Sequence, residues 1–149
     1  MKPKIRKLLI FVTVISMGLF FFYQFVRMFG AGTDPYAEYY ELNYSEDKVQ
    51  KAIETIKKEN PNIAGGSFYQ HKDKADYVNH VYFSLNHYII VTWTRPSSPN
   101  TTTFAFVARE GEGATWQKIN DDFGFFENRR IKKAFEEKIL NKLQHELAK

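Results

Sequence analysis

The side chains best suited to bind a metal ion lie close together in the sequence: His71, Asp76, His80 and His87. Metal ligands must converge, which on a helix requires a spacing such as i, i+4 and on a strand i, i+2. Asp76 and His80 have the helical spacing, but the surrounding pattern is typical of a strand, where four residues separate two side chains by about 13 Å. We therefore predict no metal site and no cofactor.

The residues that could serve acid–base or nucleophilic catalysis are also poorly placed. Serine hydrolysis needs a serine on a strained turn with a base beside it, and the sequence has no G-x-S-x-G motif. Ser97-Ser98 lies in a turn segment flanked by prolines. Asp121-Asp122 and Glu136-Glu137 are adjacent pairs, whose side chains diverge on a helix. Because the chain also has no cysteine, we predict no catalytic residues, and a hydrolytic enzyme is the least favoured function.

Four cations gather at the start of the last predicted helix: Arg129, Arg130, Lys132 and Lys133. Cations oppose the macrodipole at the amino-terminal end of a helix, so their placement is locally unfavourable. The cluster is either a solvated face or a contact for an anionic protein partner or for lipid headgroups. In either case we expect replacement of all four by glutamine to leave folding intact or slightly improved, because it removes repulsion between like charges and with the dipole.

Four tyrosines form a second candidate binding surface: Tyr36, Tyr39, Tyr40 and Tyr44. Exposed tyrosines suit protein interfaces, although the same side chains could instead cover a sheet or lie at the level of lipid headgroups. On a helix Tyr39 and Tyr40 would project about 100° apart, so that one narrow face could not bury both.

Helices are predicted at three places in the folded part of the chain. Asp34-Pro35 is typical of a helix start, so a short helix or turn is expected to follow it up to Leu42. An apolar pattern at i, i+3, i+4 and i+7 predicts a helix over 46–59, which Asn60-Pro61 ends. A long C-terminal helix is predicted from about Glu127 to Ala148. Its apolar stripe consists of Ile131, Phe135, Ile139, Leu143 and Leu147.

Between the last two helices the sequence predicts strands joined by short turns. Short connections favour an antiparallel meander, with the helices covering one face of the sheet. The fold class is therefore α+β, with four or five strands. The predicted strands are 80–86, Tyr88–Thr94, Thr102–Arg109 and Ala114–Ile119, with Ser67–His71 as a candidate fifth.

The N-terminal segment predicts a membrane anchor. Leu8–Val26 contains no charged residue, and as a helix its 19 residues span about 28 Å, close to the thickness of the hydrocarbon core. Lys2, Lys4, Arg6 and Lys7 precede this run, whereas only Arg27 follows it closely. The positive-inside rule then places the N-terminus in the cytoplasm and the rest outside it. A cleaved signal peptide is the alternative, but the apolar run is long for one.

Charge is distributed unevenly along the chain. The net charge is +4, but residues 30–149 contain 16 basic and 17 acidic side chains, which argues against a nucleic-acid partner.

The predicted organisation is a cytoplasmic basic flank (1–7), a transmembrane helix (8–26), a juxtamembrane Tyr-rich linker (27–45) and an extracytoplasmic α+β domain (46–149).

These features together predict a small single-pass protein of the inner (cytoplasmic) membrane. In a bacterium its domain would lie in the periplasm and act as a non-enzymatic binding or accessory module, with an immunity-type protein as one specific form. The alternative is a domain that binds a small apolar ligand between sheet and helices. Phe104, Phe106, Trp93 and Trp116 would line that pocket.

Overall fold

A computed structural model describes residues 12–22, 34–65, 78–111 and 115–149. The chain divides into two compact units, residues 1–35 and 36–149. In the first unit residues 12–22 form a helix, α1. No helix within the described ranges is long and apolar enough to cross a membrane. The predicted span 8–26 extends beyond α1 at both ends, into residues that lie outside the described ranges.

The second unit is an antiparallel sheet with helices, which confirms the predicted α+β class. The helix predicted over 46–59 is present with those bounds, and the long C-terminal helix is present as well. The candidate strand Ser67–His71 lies outside the described residues. The elements are β1 (Glu38–Leu42), α2 (Glu46–Glu59), a 3-10 turn (Pro61–Ile63), β2 (Asn79–Leu85), β3 (Tyr88–Ser98), β4 (Thr101–Glu110), β5 (Trp116–Lys118), α3 (Phe125–Phe135), a π-helical segment (Glu136–Leu140) and α4 (Asn141–Leu147).

The sheet has the order β1-β4-β3-β2, and β5 also pairs with β4. Strands β2 to β5 form the predicted meander, and both central residues of the β2–β3 turn, Asn86 and His87, have positive φ as a tight hairpin requires. Because β3 occupies one edge of β4, β1 and β5 share the other edge, with Glu38 opposite Phe106 and Lys118 opposite Ala108.

Strand β1 corrects the sequence analysis, because the segment after Asp34-Pro35 is a strand and not a short helix or turn. It lies within the segment 27–45 that was predicted to be a linker. Its residues alternate between the two faces of the sheet, so Tyr39 and Tyr40 point in opposite directions. The partner of β1 is β4, about sixty residues further along the chain. The local sequence pattern around β1 does not indicate that pairing.

Helix α2 and the C-terminal helix (α3, the π-helical segment and α4) bury their apolar sides in one core against the same face of the sheet. The whole predicted C-terminal stripe is buried. A four-residue step turns an α-helix about 40° past a full turn, so five residues at that spacing would drift by about 160°. The π-helical segment Glu136–Leu140 contains more residues per turn and therefore offsets part of that drift.

The opposite face of the sheet has a smaller apolar cluster around Trp93. Its neighbour Thr94 is bonded to Gln50 and Glu46 of α2, so Trp93 must point away from the helices. Trp93 is fully buried, and the ring of Tyr39 meets it edge-on at 5.7 Å between centroids. Both sides of the sheet thus contain aromatic packing.

Candidate functional site

The predicted absence of a metal site concerns four residues, of which two can be located. His71 and Asp76 lie outside the described residues. His80 is on β2 opposite Trp93, whereas His87 is an exposed turn residue. In the part of the chain that the structure describes, no three His, Cys, Asp or Glu side chains are grouped to hold a metal ion.

The side chains considered for catalysis form hydrogen bonds with other residues of the domain. Ser97 shares a hydrogen bond with Thr103 and donates another to Glu41. Asp122 accepts a 2.7 Å hydrogen bond from the backbone N–H of Lys118. The Ser97 contacts lie at the end of β3, and the Asp122 contact stabilises the turn after β5. None of these contacts pairs a nucleophile with a base.

The four tyrosines do not share a surface. Tyr40 is partly buried against the core, where it donates a 3.1 Å hydrogen bond to Glu136 and stacks on Phe135. Burial and the Glu136 carboxylate raise the pKa of the Tyr40 phenol, so it remains a neutral donor. Tyr39 packs on the opposite face of the sheet, Tyr44 packs against the edge of the core under the ammonium of Lys48, and Tyr36 is partly exposed.

The aromatic residues expected to line a ligand pocket lie in three different places. Phe104 and Phe106 are fully buried and pack against Phe135, with Phe106 and Phe135 stacked at 4.4 Å. Trp93 is on the other face of the sheet, and Trp116 is 51% exposed on β5. The space between sheet and helices where the pocket was expected is occupied by these phenylalanine rings.

The four cations of the basic cluster have two different roles. Lys132 is half-buried and lies 3.0 Å from Glu38 and 3.1 Å from the side-chain oxygen of Asn120. Asn120 in turn donates to Glu38 and exchanges hydrogen bonds with Asn128. Lys132 is therefore a structural residue that joins α3 to β1, and it does not belong to an exposed patch.

Arg129, Arg130 and Lys133 are exposed. Lys133 lies 3.7 Å from Glu137 one turn further on. Neither arginine forms an ion pair or a hydrogen bond with any residue in the described ranges. Because α3 begins at Phe125 and not at Glu127, both arginines lie in its second turn. The unfavourable dipole interaction expected from the sequence is therefore smaller, since that effect fades beyond the first turn.

Two phenylalanines that the sequence analysis did not single out lie directly beside these cations. Phe125 is 73% exposed and Phe126 is 85% exposed, and their rings meet edge-on at 5.3 Å. Residues three and four apart are neighbours on a helix, so Phe126 is next to Arg129 and Arg130. We call these two rings and the three exposed cations the aromatic–basic surface: Phe125, Phe126, Arg129, Arg130 and Lys133.

The helix start that carries the aromatic–basic surface is firmly held. Glu127 forms a 3.3 Å ion pair with Arg109 of β4, whose guanidinium lies between the rings of Tyr88 and Phe123. On the next residue, the Asn128 side chain exchanges hydrogen bonds with Asn120. Exposure of the two phenylalanines therefore does not come from a loose helix end.

The same contacts place the aromatic–basic surface at one particular end of the domain. The Asn120 side chain donates a 3.1 Å hydrogen bond to the backbone carbonyl of Tyr36, the residue with which the compact unit 36–149 begins. Asn120 is also bonded to Asn128, one turn from Phe125. The Asn120 side chain thus connects the first turn of α3 with the point where the chain enters the domain.

A second surface feature is an open groove of about 410 Å³ between the ends of α2 and α4. Its lining is mostly polar, and two of its lysines already have partners. Lys142 donates to Asn60 at 2.8 Å, and Lys149 pairs with Glu146. The aromatic–basic surface is the stronger candidate because its two arginines have no such partners among the described residues.

The two roles of the basic cluster correct the expectation that replacing all four cations leaves folding intact, because Lys132 is bonded to Glu38 and Asn120. Replacing Lys132 with glutamine should destabilise the domain by about 1–2 kcal/mol, because Glu38 and Asn120 lose a charged donor. Replacing the exposed Arg130 with glutamine should change stability by less than about 0.5 kcal/mol. Urea unfolding of both variants checks this, and equal midpoints would contradict the structural role of Lys132.

Fold and surface together define an α+β domain with its helices on one face of an antiparallel sheet and an aromatic–basic surface at the start of its C-terminal helix. No protein-family model, curated protein or solved structure matches the chain. The chemistry of the aromatic–basic surface is therefore the basis on which a function can be inferred.

Proposed function

We propose that this protein is anchored in the membrane by a single span and that its folded domain acts outside the cytoplasm by binding. The anchor is the uncharged run Leu8–Val26, and α1 supplies helical residues within it. The cations that precede this run favour a cytoplasmic N-terminus. The proposed location is the inner membrane, with the domain on its outer side.

The aromatic–basic surface carries the proposal of a binding function. Two touching phenylalanine rings lie in water on a helix start that ion pairs and hydrogen bonds hold in place. Burying such rings against a partner is favourable by roughly 25 cal/mol per Å² of apolar area. Three exposed cations beside the rings add attraction for an anionic group.

We propose binding and not catalysis because the side chains that could react form hydrogen bonds that stabilise the fold. Ser97, Asp122 and Glu136 each bond to a neighbouring strand, turn or side chain. The ligand-binding alternative has less support, since the aromatic residues expected to line its pocket do not converge. An accessory or immunity-type protein held at the membrane fits the remaining features.

Photo-crosslinking in cells tests this proposal. Benzoylphenylalanine, which resembles phenylalanine in shape, would replace Phe126 in the full chain, and a matched chain would carry it at the exposed Gln144 of α4. We expect irradiation to give covalent adducts, with protein or lipid, from position 126 and none above background from position 144. Absence of adducts from position 126 in the membrane fraction would contradict a binding role for this surface.

A further inference from the structure

We infer that the aromatic–basic surface docks on an anionic lipid bilayer, an inference that rests on the membrane anchor proposed above. The two phenylalanine rings would enter the boundary between headgroups and acyl chains. The guanidinium groups of Arg129 and Arg130 would meet lipid phosphates. Aromatic side chains that enter the headgroup boundary and Lys or Arg cations that meet anionic headgroups are both typical of helices at a membrane interface.

The charge of the surface favours an anionic bilayer. Arg129 and Arg130 have no anionic partner among the described residues, so each guanidinium can bind a phosphate through two parallel hydrogen bonds. Lys133 adds a third positive charge within one turn. Near an anionic bilayer each unpaired cation strengthens binding by about fivefold, so the two arginines together provide roughly 25-fold, and Lys133 adds less because it lies 3.7 Å from Glu137.

The shape of the surface favours a bilayer over a protein partner. Phe125 and Phe126 project from the first turn of α3 with most of their area in water, so they do not line a groove. A protein partner would need pockets fitted to both rings, because binding energy at protein interfaces comes from side chains seated in such pockets. A bilayer accepts protruding rings without any fitted pocket.

The position of the helix start in the domain also favours a bilayer. Asn120 links Tyr36, where the compact unit begins, to Asn128 on the helix start. Ten peptide units separate Tyr36 from Val26, and they span at most about 35 Å. With Leu8–Val26 as the anchor, this tether keeps the domain close to the bilayer and gives the surface a high effective concentration of lipid.

The test uses the full chain in lipid vesicles with a spin label. Because the sequence contains no cysteine, Phe125→Cys provides a single labelling site that leaves Phe126 and the three cations in place. A control label at Asn100 reports from the exposed β3–β4 turn, at the far end of β4. Collisions of each label with oxygen, which enters the bilayer, are compared with collisions with a water-soluble nickel chelate.

With vesicles that contain about one-third phosphatidylglycerol, we expect the oxygen-to-nickel ratio at position 125 to rise severalfold over pure phosphatidylcholine. High salt should reverse this rise, because salt screens exposed charges. The ratio at position 100 should stay constant. The triple variant R129Q/R130Q/K133Q should lose the rise, whereas K51Q/K58Q/K138Q, which removes three cations elsewhere, should keep it.

Two different results would contradict the inference. A chain that resists alkaline carbonate extraction but keeps the label at position 125 in water, in both kinds of vesicle, would overturn bilayer docking alone. The anchor would then stand, and the surface would be assigned to a protein partner. A chain that carbonate releases from the vesicles would overturn the proposed anchor, and the docking inference with it.

Discussion

Replacing Phe135 with alanine is expected to destabilise the folded domain by about 3–5 kcal/mol, the usual loss for a fully buried phenylalanine. Phe135 is completely buried where the C-terminal helix crosses the sheet. Its ring stacks on Phe106 at 4.4 Å and lies 5.8 Å from the rings of both Phe104 and Tyr40. Truncation would leave a cavity among three aromatic rings that the rigid sheet cannot close.

Phe126→Ala is the matched control, because it removes the same side chain from the same helix. Nine residues at about 100° each place Phe126 on the opposite side of the helix from Phe135, in agreement with its 85% exposure. We expect a change below about 0.5 kcal/mol. Glu137→Ala, which removes an exposed residue two positions from Phe135, should also stay within that limit.

Urea unfolding followed by circular dichroism measures all three variants. The predicted order places Phe135→Ala far below the wild type and the two controls close to it. If Phe135→Ala and Phe126→Ala shifted the midpoint equally, the helix would present a different face to the sheet.

Helices with a regular apolar stripe could be predicted from the sequence because their pattern is local. Val49, Ala52, Ile53 and Ile56 defined α2, and its end followed from Asn60-Pro61. The C-terminal stripe was likewise correct, but the start of α3 was placed two residues late. That error put Phe125 and Phe126 outside the helix.

Strand β1 could not be predicted because its stability depends on a distant partner. Its five residues, EYYEL, contain two glutamates and two tyrosines, and the preceding Asp34-Pro35 is a typical helix start. Pairing with β4 decided its conformation, as tertiary contacts often do for short strands. The Glu38–Lys132 ion pair could not be predicted for the same reason, because 94 positions in the sequence separate the two residues.

The aromatic–basic surface was only half visible in the sequence. The four cations were noted as a cluster, but Lys132 proved to be bonded to Glu38 and Asn120. If the helix is extended back from Phe135, the nine-residue spacing places Phe126 on the solvent-exposed side, opposite the buried stripe. The true start of α3 was needed for this step, and the first turn of α3 is joined to other parts of the domain by the Arg109–Glu127 and Asn120–Asn128 contacts.

The second large effect is expected from removal of the N-terminal segment. The full chain should be found in the membrane fraction, and a chain that begins at Tyr36 should be released from it, because Leu8–Val26 supplies the apolar length needed to span the hydrocarbon core. The shorter chain retains both apolar clusters of the domain, so it should remain folded. Circular dichroism of the released chain checks that its release does not reflect unfolding.

The measurement that tests the anchored-domain account most directly is alkaline carbonate washing of membranes from cells that express the full chain, followed by mass spectrometry of the retained protein. We expect the protein to stay with the membranes and its N-terminal peptide, Met1–Phe29, to be intact. Recovery of a soluble chain that begins near Thr33 would contradict the anchor and assign the N-terminal segment to a cleaved signal peptide.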